Sequence, residues 1–242
     1  MQLIRTGRTY GVKQFANYLQ IFDPKPDIAP YKQGDNPDMP LSSMSDEQLM
    51  QDYASGSAAA FDALYARHEG AMFRFVRRVL GQALAAQADE VFQDCWLRIV
   101  NARESFDPKS GHWKTWAFTI AHNLCLDRLR LTGRERSLEA LSDDATGADP
   151  AAWVQHALVS GQPGPEDQTH WRAAGKQLLK CLDALPAAQR AAFLLHHEDG
   201  HSVEELARVL ALSFETAKSR LRYALQKLRG CMQAYLQAGE AA

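Results

Sequence analysis

Lys218, Ser219, Arg222 and Gln226 lie on one face of a stretch whose other face carries Ala217, Leu221, Ala224, Leu225 and Leu228. That spacing is helical. The outer face is cationic and rich in hydrogen-bonding groups, and between residues 215 and 230 five Lys/Arg stand against one Glu. The chemistry is recognition rather than catalysis: a DNA major groove admits one α-helix, and such side chains reach base edges there. A solvated amphipathic helix without a ligand has the same pattern. A second cluster joins Phe106, Trp113 and Trp116 to Lys109, His112 and Lys114. Aromatic faces beside cations suit unstacked bases, which need replacement stacking and polar edges. A third set, Glu90, Gln93 and Asp94, falls at i, i+3, i+4. One helix face then presents carboxylates able to accept charge-assisted bonds from a partner's arginines. An ordinary solvated acidic face is the alternative.

The elements that must hold these groups are all helical. Ser202 and Glu205 form a capping box before Val203, Leu206 and Ala207. Ser213 caps the next helix, so residues 202–229 predict a helix-turn-helix. Upstream, Ser45 opens a helix ended by Gly56-Ser57, and residues 58–80 repeat apolar positions at helical spacing up to Gly81. Residues 87–103 place Val91, Cys95, Trp96 and Ile99 on one stripe, and a polar loop precedes a helix from Trp113 to Arg130. Trp116 fits a buried stripe with Ile120 and Leu124, which leaves Trp113 and Lys114 as the outward candidates. Residues 133–170 hold seven acids, two bases and many Pro and Gly, and read as a linker. Helices then span 172–185 and 187–198, with Pro186 in a first turn and Leu178, Leu179, Leu182, Leu185, Phe193 and Leu194 turned inward. No strand alternation occurs, so the fold class is all-α: two small helical domains joined by a flexible linker. Residues 1–43 contain five prolines and read as a disordered arm, or as a mis-called start upstream of Met44.

Composition excludes several classes. The net charge is −2, so any basic surface is local; residues 171–242 hold ten bases and seven acids. The four cysteines are widely spaced without a CxxC pair, which predicts buried reduced thiols rather than disulfides or zinc. His196 and His197 are adjacent and cannot share a helical face, and His122 with Cys125 lacks further ligands. No metal and no cofactor are expected. No HxxE-type pair, paired-carboxylate cluster or Gly-rich phosphate loop is present, so the chain is not expected to be an enzyme or to take a small-molecule substrate. No apolar run approaches the ~18 residues of a membrane span, nor does the N-terminus have a secretory core, which predicts a cytoplasmic protein.

Three stretches sharpen the reading. They are Ala88–Arg98 (ADEVFQDCWLR); Phe106-Asp107-Pro108 with Trp113-Lys114-Thr115-Trp116, Ile120–Leu124 and Asp127–Arg130; and Leu185-Pro186, Arg190, Asp199-Gly200-His201-Ser202 with Lys218-Ser219-Arg220-Leu221. Together they resemble bacterial RNA polymerase sigma factors of the sigma-70 family, and best the extracytoplasmic-function (ECF) group, which keeps only regions 2 and 4. The resemblance implies region 2 over 44–132, a linker over 133–170 and region 4 over 171–242. It implies a transcription initiation factor that binds core polymerase through the β′ clamp helices and β flap, with promoter DNA and an anti-sigma factor as further partners. Glu90, Gln93 and Asp94 would meet the clamp helices. Phe106, Trp113, Lys114 and Asn123 would capture and read a flipped −10 base, with Arg128, Arg130, Arg134 and Arg136 toward phosphates. Lys218, Ser219, Arg220, Arg222 and Tyr223 would serve the −35 element, with Lys218, Ser219 and Arg222 facing the groove and Arg220 instead contacting phosphate or pairing internally; Tyr223 stands where the pattern usually has a basic residue. The linker is too short for a further helical domain. Extended, its 38 residues reach up to ~125 Å at about 3.3 Å each, beyond the ~70 Å between elements two helical turns apart. A stand-alone dimeric helix-turn-helix regulator is the rival reading, and the aromatic loop argues against it.

Overall fold

The computed structural model describes residues 40–133 and 165–240. Residues 1–39 of the expected arm, and nearly all of the expected linker with Arg134 and Arg136, lie outside these. Among the described residues there is no strand, and no helix is long and apolar enough to cross a membrane.

The first block holds α1 (Asp46–Ala54), α2 (Ala58–Leu80), α3 (Ala88–Asn101) and α4 (Trp113–Leu131). Ser45 and Gln48 exchange both bonds of a capping box, at 3.2 and 2.9 Å. Asp46 in the first turn fastens α1 to α2 through Arg67 at 2.6 Å and His68 at 2.7 Å. Burial alone would raise its pKa, but the bonds and charges of His68 and Arg67 outweigh it, and the carboxyl sits below its usual range. Arg67 also donates to Met44 O and Ser42 O, so the turn Leu41–Ser43 is tied to α2 rather than belonging to a loose arm. Between α2, α3 and α4, Phe61, Tyr65, Trp96 and Trp113 form a chain of ring contacts 4.8–6.3 Å apart. Trp96 and Trp113 are completely buried there.

The second block holds α5 (Pro165–Ala184), α6 (Ala187–Phe193), α7 (Val203–Val209) and α8 (Phe214–Glu240), with a π-helical turn, Leu194–Glu198, after α6. Helix α8 crosses α5, α6 and α7 and buries Ala217, Leu221, Ala224, Leu225 and Leu228 against them. Two expectations are corrected here. Leu179 is 48% exposed rather than inward. Cys181 and Cys231 are joined as a disulfide, with Cα atoms 5.9 Å apart, rather than being free thiols. Their separation of 50 residues hid the neighbourhood, because only the tertiary course of α5 beside α8 brings them together. Cys95 and Cys125 are buried and free.

The two blocks meet directly. Helix α7 lies on α4, α6 lies on α2, and a single apolar core runs through both. Arg190, 6% exposed, donates to Val79 O at 2.9 Å and to Asp183 Oδ1 at 3.1 Å. Glu198 pairs with Arg74 at 3.2 Å and with Arg78. Gly81 ends α2 at φ +72°, and an added Cβ would lie 2.6 Å from Asp183 Oδ1, so both the backbone and the interface require glycine there.

Candidate nucleic-acid and polymerase interface

The loop before α4 is ordered by Asp107. Its carboxylate accepts from Lys109 N at 3.0 Å and Ser110 Oγ at 2.8 Å, and those bonds, Ser110 first, hold its pKa below the usual value. Gly111 follows at φ +153°. No side chain of His112 caps α4; Glu47 of α1 does so instead, accepting from Trp113 N at 3.0 Å and lying 3.4 Å from His112 Nδ1. Burial would raise the Glu47 pKa, but backbone bonds from its own N–H and from Trp113 lower it on balance. Sequence reasoning missed Glu47; its place in the first turn of α1 carries no signal of a cap 66 residues away.

The two tryptophans exchange the positions expected of them. Trp113 is fully buried, with its ring against His68 at 4.7 Å and Trp96 at 6.3 Å, so its face is not available to a base. It stands four and eight residues before Ala117 and Ala121, on the buried stripe of α4. Trp116 is turned away from that stripe, only half-buried, and stacks with Phe106 at 5.3 Å. Asn123 is exposed two turns further along, with Arg130 beyond it paired to Asp127 at 3.5 Å. The partly accessible rings are therefore Phe106 and Trp116, with Asn123 exposed beyond them. Lys114 is occupied: its Nζ donates to Asp199 O of the second block.

The acidic face stands on α3, with Glu90 and Gln93 exposed and Asp94 half-buried. Arg128, expected at DNA phosphates, is instead bidentate to Glu90 at 2.9 and 3.3 Å, bonds Gln87 Oε1 at 3.2 Å and stands 4.0 Å from Asp94. Two expected sites thus converge on one ion pair, and Arg128 positions the carboxylates.

At the other end, the Ser202–Glu205 capping box starts α7. Ala211, at φ +52°, makes the turn, and Ser213 Oγ accepts from Thr216 N at 3.2 Å to start α8. Lys218, Arg222 and Gln226 are exposed and Ser219 is half-buried. The Arg222 guanidinium lies 5.3 Å over the Tyr223 ring, which flattens and orients it. Arg220, expected at a phosphate or in an internal pair, is 8% exposed, which removes it from the groove-facing set. Its charge helps hold His122 of α4 down to about 4, after burial as the main cause. Around the α4–α7 contact, His201 stacks on Phe118 at 5.2 Å and is also held to about 4, by burial and then Lys114. Asp199 is pushed up to about 7 by burial and by Glu198.

Residues 64–135 match the family model described as Sigma-70 region 2, and residues 175–228 match Sigma-70, region 4. The chain is 29% identical over 198 residues to the ECF RNA polymerase sigma factor SigK of Mycolicibacterium vanbaalenii, covering 80% of this chain and 92% of that one. It is 30% identical over 179 residues to the ECF RNA polymerase sigma factor SigE of Mycolicibacterium smegmatis, covering 73% and 64%. Among solved structures, CnrH in complex with the cytosolic domain of CnrY superimposes with a TM-score of 0.53 at 26% identity, over 78% of this chain and 97% of that one. The sigma factor RpoE of Bartonella quintana, in complex with the anti-sigma factor NepR, shares the fold, with a TM-score of 0.51 at 22% identity over 72% and 96%. With a region 2 match followed by a region 4 match, the chain belongs to the sigma-70 family, in its ECF group: a transcription initiation factor that binds core RNA polymerase and directs it to promoters.

Proposed function

We propose a division of labour among the named residues. Phe106 and Trp116 form the stacking surface for an unpaired −10 base, with Asn123 reading its edge and Lys109 and Arg130 nearby for phosphates. The single observation that carries this is the half-buried Phe106–Trp116 ring pair, Phe106 on the ordered loop and Trp116 in the first turn of α4, which a reader of intact duplex does not need. Lys218, Ser219 and Arg222 read the −35 duplex, with Tyr223 orienting Arg222. Lys114 joins the −10 set once Asp199 has moved off it. Region 2 spans 44–132 and region 4 spans 171–242. Glu90, Gln93 and Asp94 meet the β′ clamp helices, Arg128 holding the carboxylates in place, and region 4 meets the β flap. The chain works in the cytoplasm, where core polymerase is, and an anti-sigma factor restrains it, a reading supported by family membership.

The test is reconstitution with core polymerase on a promoter mapped from transcript starts. The expected result is a transcript that requires this chain and falls on substitution of Trp116 or Asn123 but not of the exposed Gln51 on α1. Transcription independent of the chain, or duplex binding by a dimer without polymerase, would sink the assignment.

A further inference from the structure

Between α2 and α5 runs an open groove of about 600 Å³. Its floor is apolar, made by Phe73, Leu179 and Leu182. Its rims are cationic: Arg74, Arg77 and Arg78 on one side, Lys176 and Lys180 on the other. Glu198 takes up Arg74 and Arg78, and the Asp183 carboxylate is taken by Arg190 and Gln82 N. Arg77, Lys176 and Lys180 are exposed and have no ion-pair partner among the described residues. Three uncompensated cations thus surround an exposed leucine. A free phosphate would satisfy the cations and leave Leu179 and Phe73 wet; an acidic segment with apolar side chains satisfies both.

The chain carries such a segment. Residues 137–149, SLEALSDDATGAD, hold Glu139, Asp143, Asp144 and Asp149, no Lys, Arg or His, and the apolar Leu138 and Leu141. We propose that residues 137–149 occupy the α2–α5 groove of the same chain, with their carboxylates on Arg77, Lys176 and Lys180 and their leucines on Leu179. Reach is ample. Lys176 and Lys180 stand 11 and 15 residues into α5, about 16 and 23 Å from Pro165 at about 1.5 Å per residue. Asp149 precedes Pro165 by 16 residues, which span up to about 53 Å extended. The tether supplies an effective concentration that a separate acidic protein must exceed. One wall of the groove belongs to each block, so occupancy holds the blocks together, and separating them releases the segment.

The experiment uses the full chain with Leu179→p-benzoylphenylalanine, an exposed position that tolerates the ring. After irradiation, adducts are mapped by mass spectrometry. The expected result is intrachain adducts within 137–149. Their yield drops about fivefold or more in E139Q/D143N/D144N/D149N, and likewise in wild-type linker at about 0.5 M salt, where ion pairs are screened. A compensating pair, K176E/K180E with the four acids changed to Lys, restores the adducts, and circular dichroism verifies that each variant is folded. Adducts to other parts of the chain or to a second copy would overturn the proposal, as would a yield indifferent to neutralisation.

Discussion

Asp199 connects the π-helical turn to the helix-turn-helix, and its environment makes a sharp prediction for Asp199→Asn. The residue is 6% exposed, its Oδ2 is buried without a hydrogen-bond partner, and Glu198 is its neighbour. Its pKa rises from 3.8 to about 7, burial being the main cause and Glu198 the next. A raised carboxyl pKa means that the native chain holds a proton which the unfolded chain releases. Stability from this group is therefore present at low pH and is lost as pH rises from about 4 through about 7. At about 1.4 kcal/mol per pK unit, the wild-type loss relative to an unionisable residue is about 2 kcal/mol at pH 5 and about 4 kcal/mol at pH 8. Asparagine has the same shape and no charge to desolvate. Asp199→Asn should thus gain about 2–3 kcal/mol on wild type between pH 5 and pH 8. Three histidines, the buried His122 and His201 and the half-buried His197, each held to about 4 mainly by desolvation, act oppositely. Their stabilisation is full above about 6.5 and fades as pH falls toward 4, and it cancels in the comparison of the two proteins. Urea unfolding followed by tryptophan emission at both pH values measures the gap. A gap that is the same at pH 5 and pH 8, or a variant less stable than wild type at pH 8, would refute the assigned environment.

Trp113→Ala should destabilise the chain by about 3–5 kcal/mol through loss of a fully buried ring, whereas Trp116→Ala, at a half-buried position, should cost clearly less in thermal unfolding. The same Trp116→Ala should reduce open-complex formation by about 1–3 kcal/mol of lost stacking, read by permanganate reactivity of the melted strand. Arg222→Ala should weaken −35 recognition by about 1–3 kcal/mol in a template-competition assay, while Arg222→Lys should recover only part of it, because a guanidinium seated on Tyr223 is planar and bidentate. Cys181→Ser, or reduction of wild type, should lower unfolding free energy by up to about 4 kcal/mol, the chain-entropy value for a separation of 50 residues, measured by denaturation with and without reductant.

The helices were legible because their signals are local. Ser45, Ser57, Ser202 and Ser213 all cap where a small hydroxyl precedes a periodic apolar run, and Gly81 stops α2 as a glycine should. The recognition face of α8 was legible for the same reason: period alone separates Lys218 and Arg222 from Ala217 and Leu221. What failed depends on which neighbour an element meets. Trp113 and Trp116 differ by three residues, and both stripes of α4 look apolar enough to bury, so the choice falls to Trp96 and His68, which the sequence places far away. Arg128 reads as a free cation until α3 brings Glu90 beside it. Arg220 reads as either a phosphate contact or an internal pair because α8 is two-sided: it packs on α5, α6 and α7 and also comes near enough to α4 for the Arg220 charge to act on His122, a neighbour that period alone does not show.

That two-sidedness bears on how the chain works. Lys114, expected at DNA, is turned toward the opposite block, and α7 covers the start of α4. A chain in this arrangement cannot place its two reading faces on elements ~70 Å apart. Reading a promoter at two points therefore requires the blocks to part, which exposes the buried Arg190 and Asp199 and breaks the Glu198 pairs. A ligand shifts such an equilibrium only by its differential affinity for the two arrangements, and a change from 1:99 to 99:1 takes about 5.5 kcal/mol. Promoter DNA alone bears on few side chains of each block, so the larger share of that free energy must come from core polymerase, which on the proposed assignment engages the Glu90 face and region 4 together. The order that follows from that proposal is polymerase first, then DNA: with α7 seated on α4 the two blocks are too close to reach two elements at once, and the enzyme that needs the factor is what separates them.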